Sequence, residues 1–480
     1  MTLAIIIVVL ILVAIIGICI YRTTKFVPYT EEVREVQEVE FDGEAAIKAL
    51  GELVKCKTVS YYDHEKEDDA EFKKLISKLP KLYPNVSKQL ELKKFKVGRA
   101  LLYHWKGKTQ GPATVFMAHY DVVPVDETQW KHEPFKAEII DGVMWGRGTL
   151  DTKVTFNGIM SAGENLLKQG FVPEHDIYFA FSGGEEVSGP GANEIVQYFK
   201  DNNVELGCVI DEGGAVVKDI FPGVKEECGL IGIAEKGLMN LKFTVNSDGG
   251  HASAPAPHTP VGVLSRACQR VENHPFKMHL EGPASLMFDT LGRHSSTLYR
   301  VIFANLWLFK PVLDLLCKKK GGELNALVRT TCAFTQMSGS EAPNVVPPKA
   351  SMVANFRLNP SDTTNEAVEY IRKTIKDKKV NVEMLEGDNP SRVSSVDCDG
   401  YKKVKAAVED TWKGCIVAPY LMVQCSDSRH YSCISDKVYR FSAMDLTADE
   451  RKTIHGNDEH IRLETINHAV EFFYRVMKNS

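Results

Sequence analysis

The sequence lacks several features that would assign it to common classes of protein. It has no excess of positive charge, since 58 Lys and Arg stand against 63 Asp and Glu, so it does not resemble a nucleic-acid binder. Its 11 cysteines include no Cys-x-x-Cys pair, which argues against a thiolate zinc site or a thioredoxin-like centre. Internal repeats and low-complexity tracts are also missing. What remains is a chain of ordinary globular composition.

An unbroken apolar run opens the chain, from Leu3 to Ile20. Roughly 20 such residues are long enough to cross a bilayer, and a cleaved signal peptide is the alternative. No basic residue precedes the run and no clear cleavage site follows it, which favours an uncleaved signal-anchor. Arg22 and Lys25 would keep the body cytosolic, whereas the sequon at Asn85 favours a lumenal body. We expect a secretory-pathway protein, either secreted or membrane-anchored with a lumenal or extracellular catalytic domain.

The rest of the chain predicts a stalk and two domains. Strand-like runs at Ala113–Ala118, Ile177–Phe181 and Gly207–Ile210 alternate with helix patterns such as Val154–Leu167, which indicates an α/β fold with a mainly parallel sheet. A middle section with a different pattern predicts an inserted α+β lid of the dimerisation type. The predicted bounds are 1–20 for the apolar segment, 21–43 for the stalk, 44–238 and 389–480 for the catalytic domain, and 239–388 for the lid.

Side chains that can bind a metal follow the three strand-like runs. His119 and Asp121 follow the first run, Glu185 and Glu186 the second, and Asp211 the third. Because ligand sites in open α/β sheets gather at the carboxyl ends of strands, we expect these side chains to converge. Taken singly, each is more often a capping or hydrogen-bonded residue. The adjacent pair of glutamates is harder to explain that way, since two neighbouring carboxylates need a cation or solvent.

Two further candidates lie elsewhere in the chain. Asp151 follows the glycine-punctuated turn Gly146–Leu150 and stands at the start of a helix pattern. His455 comes just before the last helix pattern. We expect both to join the strand-end residues at one site.

Together these segments resemble the aminoacylase/carboxypeptidase family of co-catalytic zinc amidohydrolases. The matching words are MAHYDVVP, WGRGTLD, SGGEE, DEGG, GGHASAP, NVVPP and IHGNDE, in the family's order, and the resemblance covers roughly residues 44–478. It implies two zinc ions per chain, one held by His119 and Asp211 and the other by Glu186 and His455. Asp151 would bridge the two ions.

The resemblance also implies roles around the metals. Asp121 would orient the imidazole of His119, and Glu185 would be the general base and acid. A cis peptide bond is expected between Asp151 and Thr152.

Substrate contacts are expected mainly from the lid. By resemblance, His251 would reach a tetrahedral oxyanion, often across a homodimer, and Arg357 would clamp the substrate carboxylate. Asn344 is a weaker candidate for the same pocket. Arg429 would be a second carboxylate contact, although Cys425-Ser426 departs from the family's usual residues before Asp427.

Two branches of the family differ in substrate. One hydrolyses, and reversibly forms, N-fatty-acyl amino acids from fatty acid and amino acid; the vacuolar carboxypeptidase S branch removes C-terminal residues from short peptides. The words AEKGLMNL, NLWLFKPVL and LVRTTCAFT are similar to the first branch, so this is the expected function, and a non-catalytic binding relative is the least favoured. The apolar stretch Asn305–Leu316 would either line an acyl tunnel or pack as lid core or dimer interface, and we favour packing.

Overall fold

The computed structural model describes residues 1–30 and 35–480, so the predicted stalk and its acidic stretch lie partly outside the described residues. The strands are β1 Glu91–Phe95, β2 Ala100–Trp105, β3 Ala113–His119, β4 Glu138–Ile140, β5 Val143–Trp145, β6 Ile177–Ser182, β7 Leu206–Val217, β8 Cys228–Glu235, β9 Gly237–Asn246, β10 Gly250–His251, β11 Thr331–Ser338, β12 Val345–Val346, β13 Lys349–Leu358, β14 Asn381–Asp388, β15 Ile416–Met422, β16 Val438–Leu446 and β17 His460–Arg462.

The helices of the described residues alternate with these strands in the first and last parts of the chain. They are α1 Thr2–Lys25, α2 Gly43–Val54, α3 Asp69–Leu82, α4 Pro84–Gln89, α5 Lys153–Lys168, α6 Gly191–Asp201, α7 Pro260–Asn273, α8 Pro283–His294, α9 Thr297–Ala304, α10 Leu306–Lys320, α11 Gly322–Val328, α12 Thr364–Ile375, α13 Asp399–Thr411, α14 Ala448–Thr453 and α15 Leu463–Lys478.

An eight-stranded sheet lies in the part of the chain that the sequence predicts to be catalytic, in the order β1-β2-β6-β3-β7-β16-β8-β15. The four central strands β6, β3, β7 and β16 run parallel, and antiparallel pairs join β1 to β2 and β2 to β6. The predicted α/β class with a mainly parallel sheet is confirmed.

Alternate residues of the central strands pack on opposite faces of this sheet. Phe116 belongs to the large cluster that includes the buried faces of α5 and α15. Its neighbours Val115 and Met117 belong to a second cluster with α6. Both faces are therefore covered, as a parallel sheet requires, and functional side chains can reach solvent only at the strand ends.

A smaller antiparallel sheet has the strand order β11-β13-β9-β14. In the sequence, its strands come after β8 and before β15 of the large sheet. It has its own hydrophobic cluster, formed with α7 and α12. The chain passes between the sheets at Lys236, which is buried and donates from Nζ to the carbonyl oxygens of Ala326 and Arg329 at 2.9 and 2.8 Å. The predicted domain bounds stay a prediction.

The predicted apolar segment forms helix α1, which extends the run to Lys25. Its mean hydropathy reaches 3.7 and no residue of that window is buried. By length and composition alone the helix can cross a membrane, and a signal sequence would have the same properties. Anchor and cleaved signal therefore both remain open.

Candidate metal centre and active site

The ends of β3 and β6 bring the first candidates together. His119 is the last residue of β3 and lies beside Ser182, the last residue of β6, in the parallel register. The chain turns sharply after Ser182, where a Cβ on Gly183 would lie 2.7 Å from the Tyr120 ring. Only glycine fits that close approach. The turn leads directly into the short 3-10 helix that carries Glu185.

Asp151 lies between two histidines. Its Oδ1 is 3.0 Å from Nε2 of His119, and its Oδ2 is 3.0 Å from Nε2 of His455. Nε2 of His455 is also 3.1 Å from Oε2 of Glu186. The peptide bond between Asp151 and Thr152 is cis, which confirms that expectation. A carboxylate placed in this way can offer one oxygen to each of two cations.

Glu212, which the sequence analysis did not single out, faces the same site. Its Oε1 is 3.5 Å from Nε2 of His119, and it forms a compact donor group with His119 and Glu185. The carboxylate of Asp211 instead accepts from the backbone N–H of Ser428 at 2.9 Å. The structure thus places Glu212 among the clustered donor atoms. Asp211 lies next to them and lines a small buried cavity with His119 and Glu185, and its role as a ligand stays a prediction.

Strand β7 is longer than the sequence predicts. The sequence analysis ended the strand at Ile210, but the structure continues it to Val217. Its pairing with β16 is irregular between Asp211 and Gly214, so regular alternation along a strand does not apply to Asp211 and Glu212. The continuation needs glycine, because a Cβ on Gly214 would lie 1.8 Å from the carbonyl oxygen of Leu230.

Asp121 holds the loop that carries the two glutamates. Its carboxylate accepts the backbone N–H groups of Glu185 and Glu186, each at 3.2 Å. Oδ1 also lies 3.4 Å from Nδ1 of His119, and the side chain is fully buried. One carboxylate therefore fixes both the imidazole and the neighbouring loop, as a residue that supports a metal ligand should.

A buried ion pair positions Asp151 in a similar way. Arg147 donates from one terminal nitrogen to Glu459 Oε2 at 2.6 Å and from the other to the carbonyl oxygen of Gly456 at 2.8 Å. Glu459 Oε1 accepts the backbone N–H of Leu150 and of Asp151 at 2.7 and 3.2 Å. The sequence analysis did not assign either member of this pair. Only the fold shows that it joins the Asp151 turn to the His455 loop.

The electrostatics of the donor group call for a cation. Burial and the neighbouring Asp151 raise the pKa of Glu212 to about 8, and burial raises the pKa of Glu185 well above its usual range. Hydrogen bonds to Asp151 and then Glu186 raise the pKa of His455 to about 10. Buried carboxylates resist ionisation when they are crowded together, and a divalent cation reverses that preference.

The donor chemistry also fits a metal. Imidazole nitrogens and carboxylate oxygens are common zinc ligands. Oε1 of Glu186 is buried and has no hydrogen-bond partner among the described residues, so it is available to a cation. The residues that could hold metal ions are His119, Asp151, Glu186, Glu212 and His455.

A cavity of about 690 Å³ extends from these carboxylates. One part of its wall carries Asp151, Glu185, Glu186, Glu212 and His455. Another part is apolar and comes mainly from β7, β15, β16 and the segment after α10; it includes Val217, Ile220, Leu230, Tyr420, Met422, Met444 and Leu446. The cavity therefore joins a charged reaction centre to an apolar surface. Among the described residues, none of 305–316 contributes to this wall, so an acyl tunnel along that stretch is not supported.

Two predicted carboxylate contacts converge at Cys425, which lines the cavity. Nη1 of Arg357, on β13 of the small sheet, is 3.2 Å from the Cys425 sulfur. Burial raises the pKa of the Cys425 thiol, an effect that nearby Arg357 and Arg429 oppose. Two guanidinium groups thus lie beside Cys425, one of the residues that line the cavity, and a guanidinium group suits a carboxylate.

The other two lid candidates lie elsewhere. His251 is exposed on β10, and its Nδ1 accepts from the N–H and the hydroxyl of Ser253 at 3.1 and 2.7 Å. The carbonyl oxygen of Asn344 accepts the N–H of Ala252 at 2.9 Å. Neither residue lines the cavity, so their predicted roles, including the role of His251 across a dimer, stay predictions.

Comparisons with known proteins agree with this geometry. The chain matches the model of peptidase family M20/M25/M40 over residues 115–479. It is 34% identical over 439 residues to the probable carboxypeptidase S-like 2 of Dictyostelium discoideum, covering 90% of this chain and 84% of the relative. It is 35% identical over 441 residues to the N-fatty-acyl-amino acid synthase/hydrolase PM20D1 of Xenopus tropicalis, covering 90% and 85%.

A solved structure shows the same fold. It is the M20 family metallo-carboxypeptidase Sso-CP2 from Sulfolobus solfataricus, with a TM-score of 0.65 at 19% identity, covering 90% of this chain and 98% of that chain.

Proposed function

The chain belongs to peptidase family M20/M25/M40, and from this premise we propose that it is a dinuclear zinc amidohydrolase that hydrolyses, and reversibly forms, N-fatty-acyl amino acids. The observation that carries the proposal is the cavity, in which clustered metal-capable side chains meet an apolar wall, with Arg357 beside the lining residue Cys425. Such a cavity suits a substrate with an apolar acyl chain, a scissile amide and a free carboxylate.

Each part of the site has a proposed task. The two zinc ions would be held by Asp151 together with His119, Glu212, Glu186 and His455. When bound, the metal pair polarises the scissile carbonyl and makes water more acidic. Asp121 holds His119 and the 185–186 loop in place. The proposed ligand set contains Glu212 where the sequence analysis had Asp211. The number of carboxylates in the set is therefore unchanged.

Glu185 is the proposed general base and acid. Its carboxylate takes a proton from the attacking water and passes it to the leaving nitrogen. Its place beside His119 and Glu212 supports this role. The same groups act in reverse during amide formation, so the concentrations of fatty acid, amino acid and product decide the net direction.

The relatives support two neighbouring substrates. The Xenopus relative is named an N-fatty-acyl-amino acid synthase/hydrolase, and the Dictyostelium relative a carboxypeptidase S-like protein. We favour the first because the cavity wall beyond the carboxylates is largely apolar. A peptide's N-terminal part would need polar partners for its amide groups there.

A substrate series tests the proposal. Turnover of acyl-phenylalanines of increasing chain length is compared with that of dipeptides ending in phenylalanine. We expect kcat/KM to rise with chain length, by up to about fourfold for each buried methylene worth ~0.8 kcal/mol, until the cavity is filled. Preference for the dipeptides would instead make the carboxypeptidase the better assignment.

A substitution of Arg357 tests the same proposal in a second way. Arg357→Ala should raise KM for substrates with a free carboxylate and affect amidated substrates little. Arg392→Ala, at an exposed position, is the matched control and should change neither. Equal loss on both classes of substrate would remove Arg357 from the carboxylate site.

We further propose that the protein enters the secretory route through α1. Its length and apolar character support this. Expression of the full chain followed by N-terminal sequencing distinguishes a retained anchor from a cleaved signal.

A further inference from the structure

The outer face of α10 is apolar and exposed. Leu308, Val312, Leu315 and Leu316 are 38, 54, 53 and 58% exposed. Val312, Leu315 and Leu316 follow Leu308 by four, seven and eight residues, which places all four along one side of the helix. Trp307 borders this side and is 52% exposed. We call these five residues the α10 outer face.

The opposite side of α10 already has a partner. Leu313 and Cys317 are buried in the main hydrophobic cluster, and Arg329 forms an ion pair with Asp314. The inner side of the helix thus packs on the protein, and its outer face is exposed. A soluble surface rarely leaves so many large apolar side chains together unless they meet a protein or a membrane.

Helix α1 is attached beside this face. Nε of Arg22 donates to the carbonyl oxygen of Ala304 at 2.9 Å. Nδ2 of Asn305, the buried residue just before α10, lies 3.3 Å from both the carbonyl oxygen of Cys19 and the hydroxyl of Thr23. These contacts lie at the carboxyl end of the apolar run, and the membrane surface would lie at this level if α1 crossed a bilayer.

Other side chains of α10 also suit a position at the membrane surface. The run Lys318–Lys320 at the end of α10 is exposed, and Lys318 also pairs with Asp314. Lysine side chains can extend from an apolar surface towards lipid headgroups, and they favour anionic ones. Tryptophan, here Trp307, is enriched at membrane–water interfaces.

We propose that the α10 outer face lies on a lipid bilayer next to the point where α1 enters it. The body of the enzyme would then be held at the membrane by two contacts, one spanning and one on the surface. A second copy of the chain is the competing occupant. The bilayer is favoured because α1 fixes the position of this face relative to the membrane.

The position of α10 has a consequence for the substrate, and this consequence alone rests on the proposed function. Gly322, Glu323 and Ala326, in the segment directly after α10, line the active-site cavity. Docking would bring that wall close to the bilayer, where fatty acids and N-fatty-acyl amino acids concentrate. Docking itself can be measured without any turnover.

Photo-crosslinking of the full chain tests the docking. The photoreactive residue p-benzoylphenylalanine is placed at Leu316 in one variant and, as control, at Leu385 in another. Leu385 is 52% exposed on the small sheet. Both variants are reconstituted in vesicles of phosphatidylcholine and phosphatidylserine in equal parts, irradiated, and analysed by peptide mass spectrometry.

We expect lipid adducts at position 316 to exceed those at position 385 several-fold. Equal adduct formation at the two positions, or none at 316, would overturn the proposal. So would a crosslink from 316 to a second chain in place of lipid. A catalytically inactive Glu185→Gln background should give the same adducts, which separates failure of docking from failure of the proposed function.

Discussion

Glu212 faces His119, with 3.5 Å between Oε1 of the carboxylate and Nε2 of the imidazole. The carboxylate of its neighbour Asp211 accepts from the N–H of Ser428 and lines a small buried cavity with His119 and Glu185. The two adjacent carboxylates therefore have different environments and should have different functions.

Exchange of each carboxylate for its amide distinguishes them. Glu212→Gln should lose the zinc held beside His119, and with it turnover, because a neutral amide is a poor zinc ligand. Asp211→Asn keeps an acceptor oxygen for Ser428 and should retain both metals. Zinc per chain is measured by mass spectrometry after dialysis. Zinc loss confined to Asp211→Asn would restore the original ligand assignment.

The general base gives a second contrast between adjacent residues. Glu185→Gln should retain zinc while turnover falls by at least ~10²–10⁴, since only proton transfer is removed. Glu186→Gln should lose zinc, because that carboxylate is a proposed ligand. Metal content and turnover are measured on the same preparations. Near-normal turnover of Glu185→Gln would assign the base to another group.

Asp121 should control metal affinity without binding metal. Asp121→Asn cannot accept both backbone N–H groups of the 185–186 loop with carboxylate oxygens. Loss of such a supporting contact typically weakens metal binding about 10–100-fold. A chelator competition titration measures this, and excess zinc should restore part of the turnover. Asp126→Asn, on the exposed surface nearby, is the control, and equal zinc affinity in both variants would contradict the role.

A histidine outside the candidate ligand set should make stability depend on pH. Nδ1 of His468 on α15 lies 2.8 Å from Oδ1 of Asp445 on β16. Burial lowers the pKa of His468, but the bond to Asp445 outweighs it and the net shift is upward. Burial likewise raises the pKa of Asp445, and its hydrogen bonds from His468 and Trp412 outweigh that effect and lower it to about 2.

The sign of the effect follows from the raised pKa of His468. Its extra stability is fully present below the ordinary histidine pKa of about 6.5 and is lost as pH rises through the folded-state value. His468→Gln should therefore cost about 1–3 kcal/mol near pH 5.5, where Asp445 is still ionised, and less near pH 9. Thermal midpoints of both proteins at each pH, with saturating zinc, measure the difference. A larger cost at the higher pH would contradict the charge-pair explanation.

Much of the site could be read from local sequence. His119 and Glu186 were identified because each follows a buried strand-like run, and parallel strands end at the same edge of a sheet. The structure shows why glycine stands at two positions in these words, SGGEE and DEGG, since a Cβ on Gly183 would meet the Tyr120 ring and one on Gly214 the carbonyl oxygen of Leu230.

Other parts could not be read in this way. The approach of Glu212 to His119 depends on how β7 pairs with its neighbouring strand, and no local signal in the sequence marked that irregular pairing. The pairing of Arg147 with Glu459 joins residues that are 312 positions apart. Two residues so far apart in the sequence share no local pattern from which their contact could be predicted.

The sequence by itself determined the α/β class, the apolar first helix and the family's set of imidazoles and carboxylates, because these depend on residue type, hydrophobic period and order along the chain. Only the tertiary structure brought Glu212 within 3.5 Å of His119, since that approach depends on the irregular pairing of β7 with β16. It also decided that α10 packs by one side and exposes the other. Burial depends on which surfaces the rest of the fold brings near, and an apolar stretch such as Asn305–Leu316 does not by itself specify its partner.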